Sequence, residues 1–350
     1  MIGAPDHRPR RSVHLDRLEA DRLVEEAPWV GLTHAEAQSR VAPSWSTTAR
    51  QGPSDPGLGS LAVEARAFLG LEATHNPNRW HFEVTPGLST GGGFLFGGCG
   101  LGAAIAAMEG TTGRPLVWAT AQYLSYAKPG SVVDVDVTVA VSGRNSTQAR
   151  AVGHVAEREI FTVNAALGAR DLDIHHSFAE PPDVPRPEDC DPRPLRIPGE
   201  ESIMSRLDLR LANARPWEDL TGHPAPDGRS SLWARIPELL EPSAAALAIL
   251  GDYVPFGIGQ ALGAFAGGNS LDNTLRVVRI VPTEWVLIDI RIEGIDHGFG
   301  HGTVHLFAED GTLMATASQS TIVRFWAAER PGTRPVGEHV ANDPSAEEAT

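Results

Sequence analysis

The stretch Val133-Asp134-Val135-Asp136-Val137-Thr138-Val139 puts an apolar side chain at every second position. Successive strand side chains point to opposite faces, so the alternation predicts an antiparallel strand with one face in a core and the other in water. Working outward, strands are expected near Trp80–Thr85, Leu116–Tyr126, Ser131–Ser142, Thr147–Glu157 and Glu159–Ala169. Leu61–Leu71 reads as a short helix. The glycine-rich run Gly91-Gly92-Gly93-Phe94-Leu95-Phe96-Gly97-Gly98 leads into Cys99–Met108, a helix of small and apolar residues.

The order then returns. Pro181–Pro198 breaks regular structure and reads as a linker. Beyond it, strands are expected near Arg206–Ala214 and Ser230–Pro237, then an apolar helix from about Pro242 to Ala266. Strands near Leu271–Ile280, Trp285–Glu293, Gly302–Ala308 and Leu313–Arg324 complete the copy. A shift of 153 residues carries Pro129 onto Pro282, Val135 onto Ile288, Asp136 onto Asp289 and Ile160 onto Leu313, without a gap from Gln122 to Ala166. The helix starts correspond with Gly97 opposite Gly251. A repeat of this length predicts two similar domains rather than a solenoid.

Each copy is one apolar helix and a run of long strands. A sheet that wraps a helix buries it on nearly all sides, which accounts for helices that are apolar all round. The expected class is α+β, a double hotdog: two tandem hotdog domains, each with a central helix wrapped by an antiparallel sheet, joined edge to edge so that an exposed edge is removed. The expected layout is a disordered extension over 1–60, hotdog domains over 61–170 and 205–326, a proline-rich linker over 171–204 and a disordered tail over 327–350.

Composition narrows the function classes. Thirty-six glycines and twenty-seven prolines in 350 residues imply many turns. A formal charge of −15 argues against nucleic acid or an anionic membrane as partner. Two cysteines, Cys99 and Cys190, make neither a disulfide framework nor a zinc site. With no signal-peptide pattern, and with Ala244–Leu250 as the longest apolar run, the expectation is a soluble cytoplasmic protein with no metal and no cofactor.

Several short segments, in order, resemble the acyl-CoA thioesterase II family. They are Phe96-Gly97-Gly98; Tyr123-Leu124 with Pro129-Gly130; Ser270-Leu271-Asp272-Asn273 through Trp285; and Gly311-Thr312-Leu313 with Ala317-Ser318-Gln319. The resemblance runs from about Leu61 to Trp326. It implies acyl-CoA as substrate, hydrolysed to a free acid and coenzyme A. It also implies a catalytic trio of Asp252, Ser270 and Gln319 around the attacking water. Serine stands where threonine is more usual in the family, and Asn273 where histidine is.

The chemistry suits those residue types. A carboxylate at Asp252, expected early in a helix, can take a proton from water or attack the carbonyl itself. Ser270 and Gln319 offer donors and acceptors to orient the water. Backbone at Gly97 and Gly98 is expected to supply the oxyanion site. The repeat puts Gly98, Val117 and Ala166 opposite the trio, so one active site per chain is expected. Arg144, Arg150, Arg276 and Arg279 are candidate phosphate contacts, of which Arg144, Arg150 and Arg276 are carried forward. The two rival readings are a non-catalytic acyl-ligand-binding double hotdog and an enoyl-CoA hydratase or dehydratase using Asp171 and His176. Further assembly of the double hotdog into a homo-oligomer is left open.

Four other patterns invite chemistry. Gly87-Leu88-Ser89-Thr90-Gly91 matches a nucleophile elbow but lacks the βαβ context that motif requires. Cys99 reads as a packing thiol. Asp171 and His176 read as a solvated turn. His297, His301 and His305 read as a loop and strand edge rather than a metal site.

Overall fold

The computed structural model describes residues 64–195, 199–239 and 242–326. The expected N-terminal extension and C-terminal tail lie outside them. A helical turn over 64–69 opens the described chain. The first half then runs β1 (Glu72–Ala73), β2 (Arg79–Glu83), α1 (Gly97–Thr112), β3 (Leu116–Tyr123), β4 (Val132–Ser142), β5 (Ser146–Val155) and β6 (Arg158–Gly168). The second half runs β7 (Asp191–Pro192), β8 (Asp208–Asn213), β9 (Arg229–Arg235), α2 (Ala244–Gly251) and α3 (Val254–Leu262). It continues with β10 (Ala266–Ser270), β11 (Asp272–Val277), β12 (Val286–Asp296), β13 (Phe299–Ala308) and β14 (Leu313–Phe325).

All strand pairs are antiparallel, and they form one sheet in the order β1-β2-β4-β5-β6-β3-β11-β14-β13-β12-β9-β8-β7, with β10 also on β14. The two halves meet at the β3–β11 seam, where Thr120 opposes Thr274 and their hydroxyls lie 2.7 Å apart. Both outer edges are strands of only two residues, short enough to offer little template to another chain. This is a double hotdog.

The two threonines differ by 154, and a pseudo-twofold axis passes between them. The β3–β6 and β11–β14 registers also superpose at a shift of 154, whereas β4–β5 and β12–β13 superpose at 153. The ungapped shift of 153 is therefore corrected by one residue in the strands at the seam. The extra residue is taken up between the hairpins, where Val155–Arg158 closes in a two-residue turn and Phe307–Leu313 in a longer one.

Helix α1 is buried from Gly98 to Met108 and ends at Gly113, whose φ of 64° suits a residue without Cβ. Glu109 ties the end of the helix to β3 by accepting the Leu116 N–H at 2.8 Å, and burial pushes its carboxyl up to about 7. Gly102 and Gly98 let α1 lie directly on α2. A Cβ at Gly98 would stand 2.8 Å from Ile249 Cα, and one at Gly102 would stand 3.0 Å from the Ala245 carbonyl oxygen.

The second helix is not continuous, as expected over Pro242–Ala266, but broken at Asp252-Tyr253. Pro255 has no N–H to give the Gly251 carbonyl, and its ring crowds that carbonyl, so the first helix stops and a second begins. At a shift of 154 it is α3 that matches α1. Helix α2 takes the place of the glycine-rich run before α1. Together Ala244–Leu262 is long and apolar enough to span a bilayer, but 78% of it is buried inside the fold.

The linker is more ordered than its composition predicts. It adds β7 to the sheet and carries short 3-10 turns at Pro187–Asp189 and Ile203–Arg206. It also closes a small second core, in which Cys190 packs with Trp233, Trp285, Leu287, Phe307 and Leu313. The Trp233 indole N–H donates to the Pro185 carbonyl at 2.9 Å.

Candidate functional site

The break between α2 and α3 leaves Asp252 as the C-cap of one helix and two residues ahead of the next. It is not inside a helix, as the sequence suggested, but it faces the N-terminus of a different one. Gly98, the second residue of α1, donates its N–H to Asp252 Oδ2 at 2.6 Å. On β14 the inward positions are Ala315, Ala317, Gln319 and Thr321, so parity sends two polar side chains inward, Gln319 and Thr321, of which Gln319 reaches Asp252. Its Nε2 donates to Asp252 Oδ1 and, at 3.0 Å, to Ser270 Oγ. Its Oε1 accepts the Val254 N–H at 3.1 Å, which satisfies an orphan donor at the start of α3. Ser270, the last residue of β10, donates to Asp252 Oδ1 at 3.4 Å.

Residues 252, 270 and 319 thus meet within hydrogen-bonding reach. Asp252 is 5% exposed and Gln319 2%, whereas Ser270 is half-buried and forms the open side of the group. Burial pushes the Asp252 carboxyl up to about 6, against the hydrogen bonds from Gln319, Gly98 and Ser270 that favour its ionised form. A carboxylate in that range is both a competent base and a competent acid near neutral pH.

The corrected register changes the first-half counterparts. Asp252 stays opposite Gly98, but Ser270 falls opposite Leu116 rather than Val117, and Gln319 opposite Ala165 rather than Ala166. All three counterparts still lack a polar side chain, so the asymmetry between the halves survives.

The expected oxyanion backbone is also changed. Gly98 spends its N–H on Asp252, leaving it to orient the carboxylate rather than to meet an oxyanion. The Gly97 N–H has no acceptor among the described residues. The arginines are not gathered at the trio. Arg144 sits in the exposed β4–β5 hairpin, Arg150 points outward from β5, and Arg276 points outward from β11. Arg276 lines a groove of about 540 Å³ on the outer sheet face with Arg229, Arg291, Asp289 and His305.

Ser89 is 2% exposed, and its hydroxyl donates to the Thr85 carbonyl at 2.8 Å. The Cys99 thiol is fully buried and held well above its ordinary range by desolvation. Asp171 and His176 are exposed. His297 sits in the β12–β13 turn with φ 48°, and His301 contacts Ser320 Oγ at 3.1 Å. Among the described residues no group of His, Cys, Asp and Glu is disposed to hold a metal.

The acyl-CoA thioesterase C-terminal domain, as a sequence family, matches residues 187–323. A candidate thioesterase from Novosphingobium aromaticivorans is 33% identical with a TM-score of 0.65, over 73% of this chain and 98% of that one. The chain belongs to the acyl-CoA thioesterase family. Two more distant structures share the fold. Acyl-CoA thioesterase II TesB2 from Mycobacterium marinum is 19% identical (TM-score 0.58, over 76% and 100% of the chains). A candidate thioesterase II from Thermobifida fusca is 16% identical (TM-score 0.64, over 74% and 98%). No curated protein sequence matches. As a member of the acyl-CoA thioesterase family the chain is a thioester hydrolase.

In the sequence, two polar residues beside the trio, Tyr123 and Asn273, stand only within the family segments and not as site residues. Both face inward at the seam, each with side-chain polar atoms that make no hydrogen bond of good geometry within the fold. Strand parity carried the signal. Ala119 and Ala121 are core positions of β3, so Tyr123 shares their face. Asn273 is fully buried, one residue from the Thr274–Ser318 pair and hence next to Gln319.

Proposed function

We propose that this thioesterase hydrolyses an acyl-CoA through a water oriented by Asp252, Ser270 and Gln319. The observation that carries the proposal is that two polar side chains and a backbone N–H, from three separate elements, converge on one buried carboxylate. Asp252 takes a proton from water as the water oxygen attacks the thioester carbonyl. The tetrahedral oxyanion is met by the Gly97 N–H at the start of α1. As the intermediate collapses, the C–S bond breaks, and the coenzyme A thiolate regains a proton from the Asp252 carboxyl. Water and acyl-CoA are thereby converted to free acid and thiol, with Asp252 returned to its starting state.

Ser270 and Gln319 both hold Asp252 Oδ1, and of the three Ser270 is the most exposed. The test is thiol release from acyl-CoAs of increasing chain length by the natural protein and by Asp252→Ala. The expected result is turnover by the natural protein and a fall of about 10³-fold in the variant, within the usual range for a lost general base. Undiminished turnover in a folded Asp252→Ala protein would sink the proposal.

A further inference from the structure

Tyr123 presents the least expected hydroxyl in the core. Its phenol oxygen is buried and, like both polar atoms of the Asn273 amide beside it, makes no hydrogen bond of good geometry within the fold, although the amide lies near enough to act on the phenol. Buried polar groups are normally paired within the fold, and three clustered atoms whose bonding is incomplete mark a place where an outside group can complete it. Gly97 fixes where that place is. A Cβ added there would stand 2.8 Å from Asp252 Oδ2 and 3.0 Å from the Tyr123 oxygen, so the two oxygens face each other across the glycine. They lie no farther apart than the sum of those distances, a gap that one oxygen of water or substrate can bridge.

We infer that Tyr123 is a further catalytic residue of this site, its phenol O–H donating to the thioester oxygen as that oxygen becomes an oxyanion. The inference rests on the proposed role of Asp252. The oxyanion donors are then the Gly97 N–H and the Tyr123 hydroxyl, and the latter takes over the part that Gly98 cannot play. Burial and the nearby Asp252 charge hold the phenol well above its ordinary range, which keeps it a neutral donor throughout the working pH. Asn273 approaches the phenol from the neighbouring strand and acts as a positioning residue. The first half therefore contributes more than backbone: Tyr123 is the side chain it brings across the seam.

The experiment compares Tyr123→Phe and Asp252→Ala with the natural protein, reading kcat, KM and the pH profile of thiol release together with thermal unfolding. Phenylalanine retains the ring and removes only the hydroxyl, so a folded protein is expected. The expected result for Tyr123→Phe is a fall of about 10²-fold in kcat with KM within about twofold and an unmoved acid limb, as for a lost oxyanion donor. Unchanged kcat overturns the inference, and so does a loss that arrives with a shifted acid limb, because that shift reports Tyr123 acting through Asp252. Asp252→Ala separates the two ideas. If it is inactive while Tyr123→Phe is fully active, only the inference fails; if it is active, the proposed function and the inference fail together.

Discussion

Gly98 and Asp252 occupy equivalent positions in the two halves, 154 residues apart, and are joined by the 2.6 Å hydrogen bond from the Gly98 N–H to Asp252 Oδ2. One copy has kept the backbone donor and the other has the acceptor, so each half supplies what the other lacks at the pseudo-twofold axis. Close approach of the helices is a condition of that bond. Gly98→Ala puts a methyl 2.8 Å from Ile249 Cα and 2.9 Å from the Ala248 carbonyl oxygen, where backbone rather than a flexible side chain must give way. We expect a loss of about 1–3 kcal/mol, the usual cost of overpacking a core, measured by denaturant unfolding. Stability equal to the natural protein would mean that α1 and α2 part more easily than their packing implies.

Activity should rise with pH through about 6, because Asp252 must be ionised to accept a proton from water and its carboxyl is held at about 6. The hydrogen bond from Gln319 favours the ionised form, so Gln319→Leu should move the acid limb of kcat/KM to higher pH as well as lower kcat. A pH series on the two proteins checks both effects. An acid limb that stays in place when Gln319 is lost would separate Gln319 from the ionisation of Asp252.

Strand parity and turn residues carried most of the architecture into the sequence. The alternation at Val133–Val139 marks an inward row that is buried at Val133, Val135 and Val137, and the family segments led to Asp252, Ser270 and Gln319, which the fold brings together. Two features were harder to read. The high apolar content on both sides of Asp252, from Ala244 to Leu262, concealed the break there, although Pro255 was its visible cause. The partners of a side chain across the seam depend on a register that a one-residue offset changes, and a shift of 153 hid that Thr120 faces Thr274. Tyr123 and Asn273 were legible as inward positions but not as neighbours of Asp252, because three separate segments create that proximity.

Arg276 distinguishes the outer groove from the catalytic side of the sheet. Its side chain leaves β11 on the face opposite Asn273 and Leu275, both fully buried. Arg276→Ala should therefore leave kcat and KM for acyl-CoA within about twofold of the natural values, as surface substitutions away from a site usually do. A KM raised tenfold or more in steady-state thiol release would instead bring the outer face into substrate binding.

The raised carboxyl of Asp252 also has a consequence for folding, opposite in sign to that of a salt-bridged aspartate. Its pKa is about 6 in the folded chain against an ordinary value of 3.8, so between those values the folded state binds more protons than the unfolded one. Stability from this group is then fully present below about pH 4 and falls as pH rises to about 6, above which the loss is complete. Two pH units at 1.36 kcal/mol per unit give a loss of about 3 kcal/mol. Removing the carboxyl removes this dependence, although Asp252→Ala also strands the Gly98 and Gln319 donors and lowers stability at every pH. The informative quantity is the difference between the two proteins. Urea unfolding from pH 4 to pH 7 should show the natural protein losing about 3 kcal/mol relative to Asp252→Ala, with most of the change between pH 4 and 6. A difference that is flat across that range would mean that Asp252 ionises in the folded protein as readily as in water, and that the hydrogen bonds from Gly98, Gln319 and Ser270 fully offset its burial.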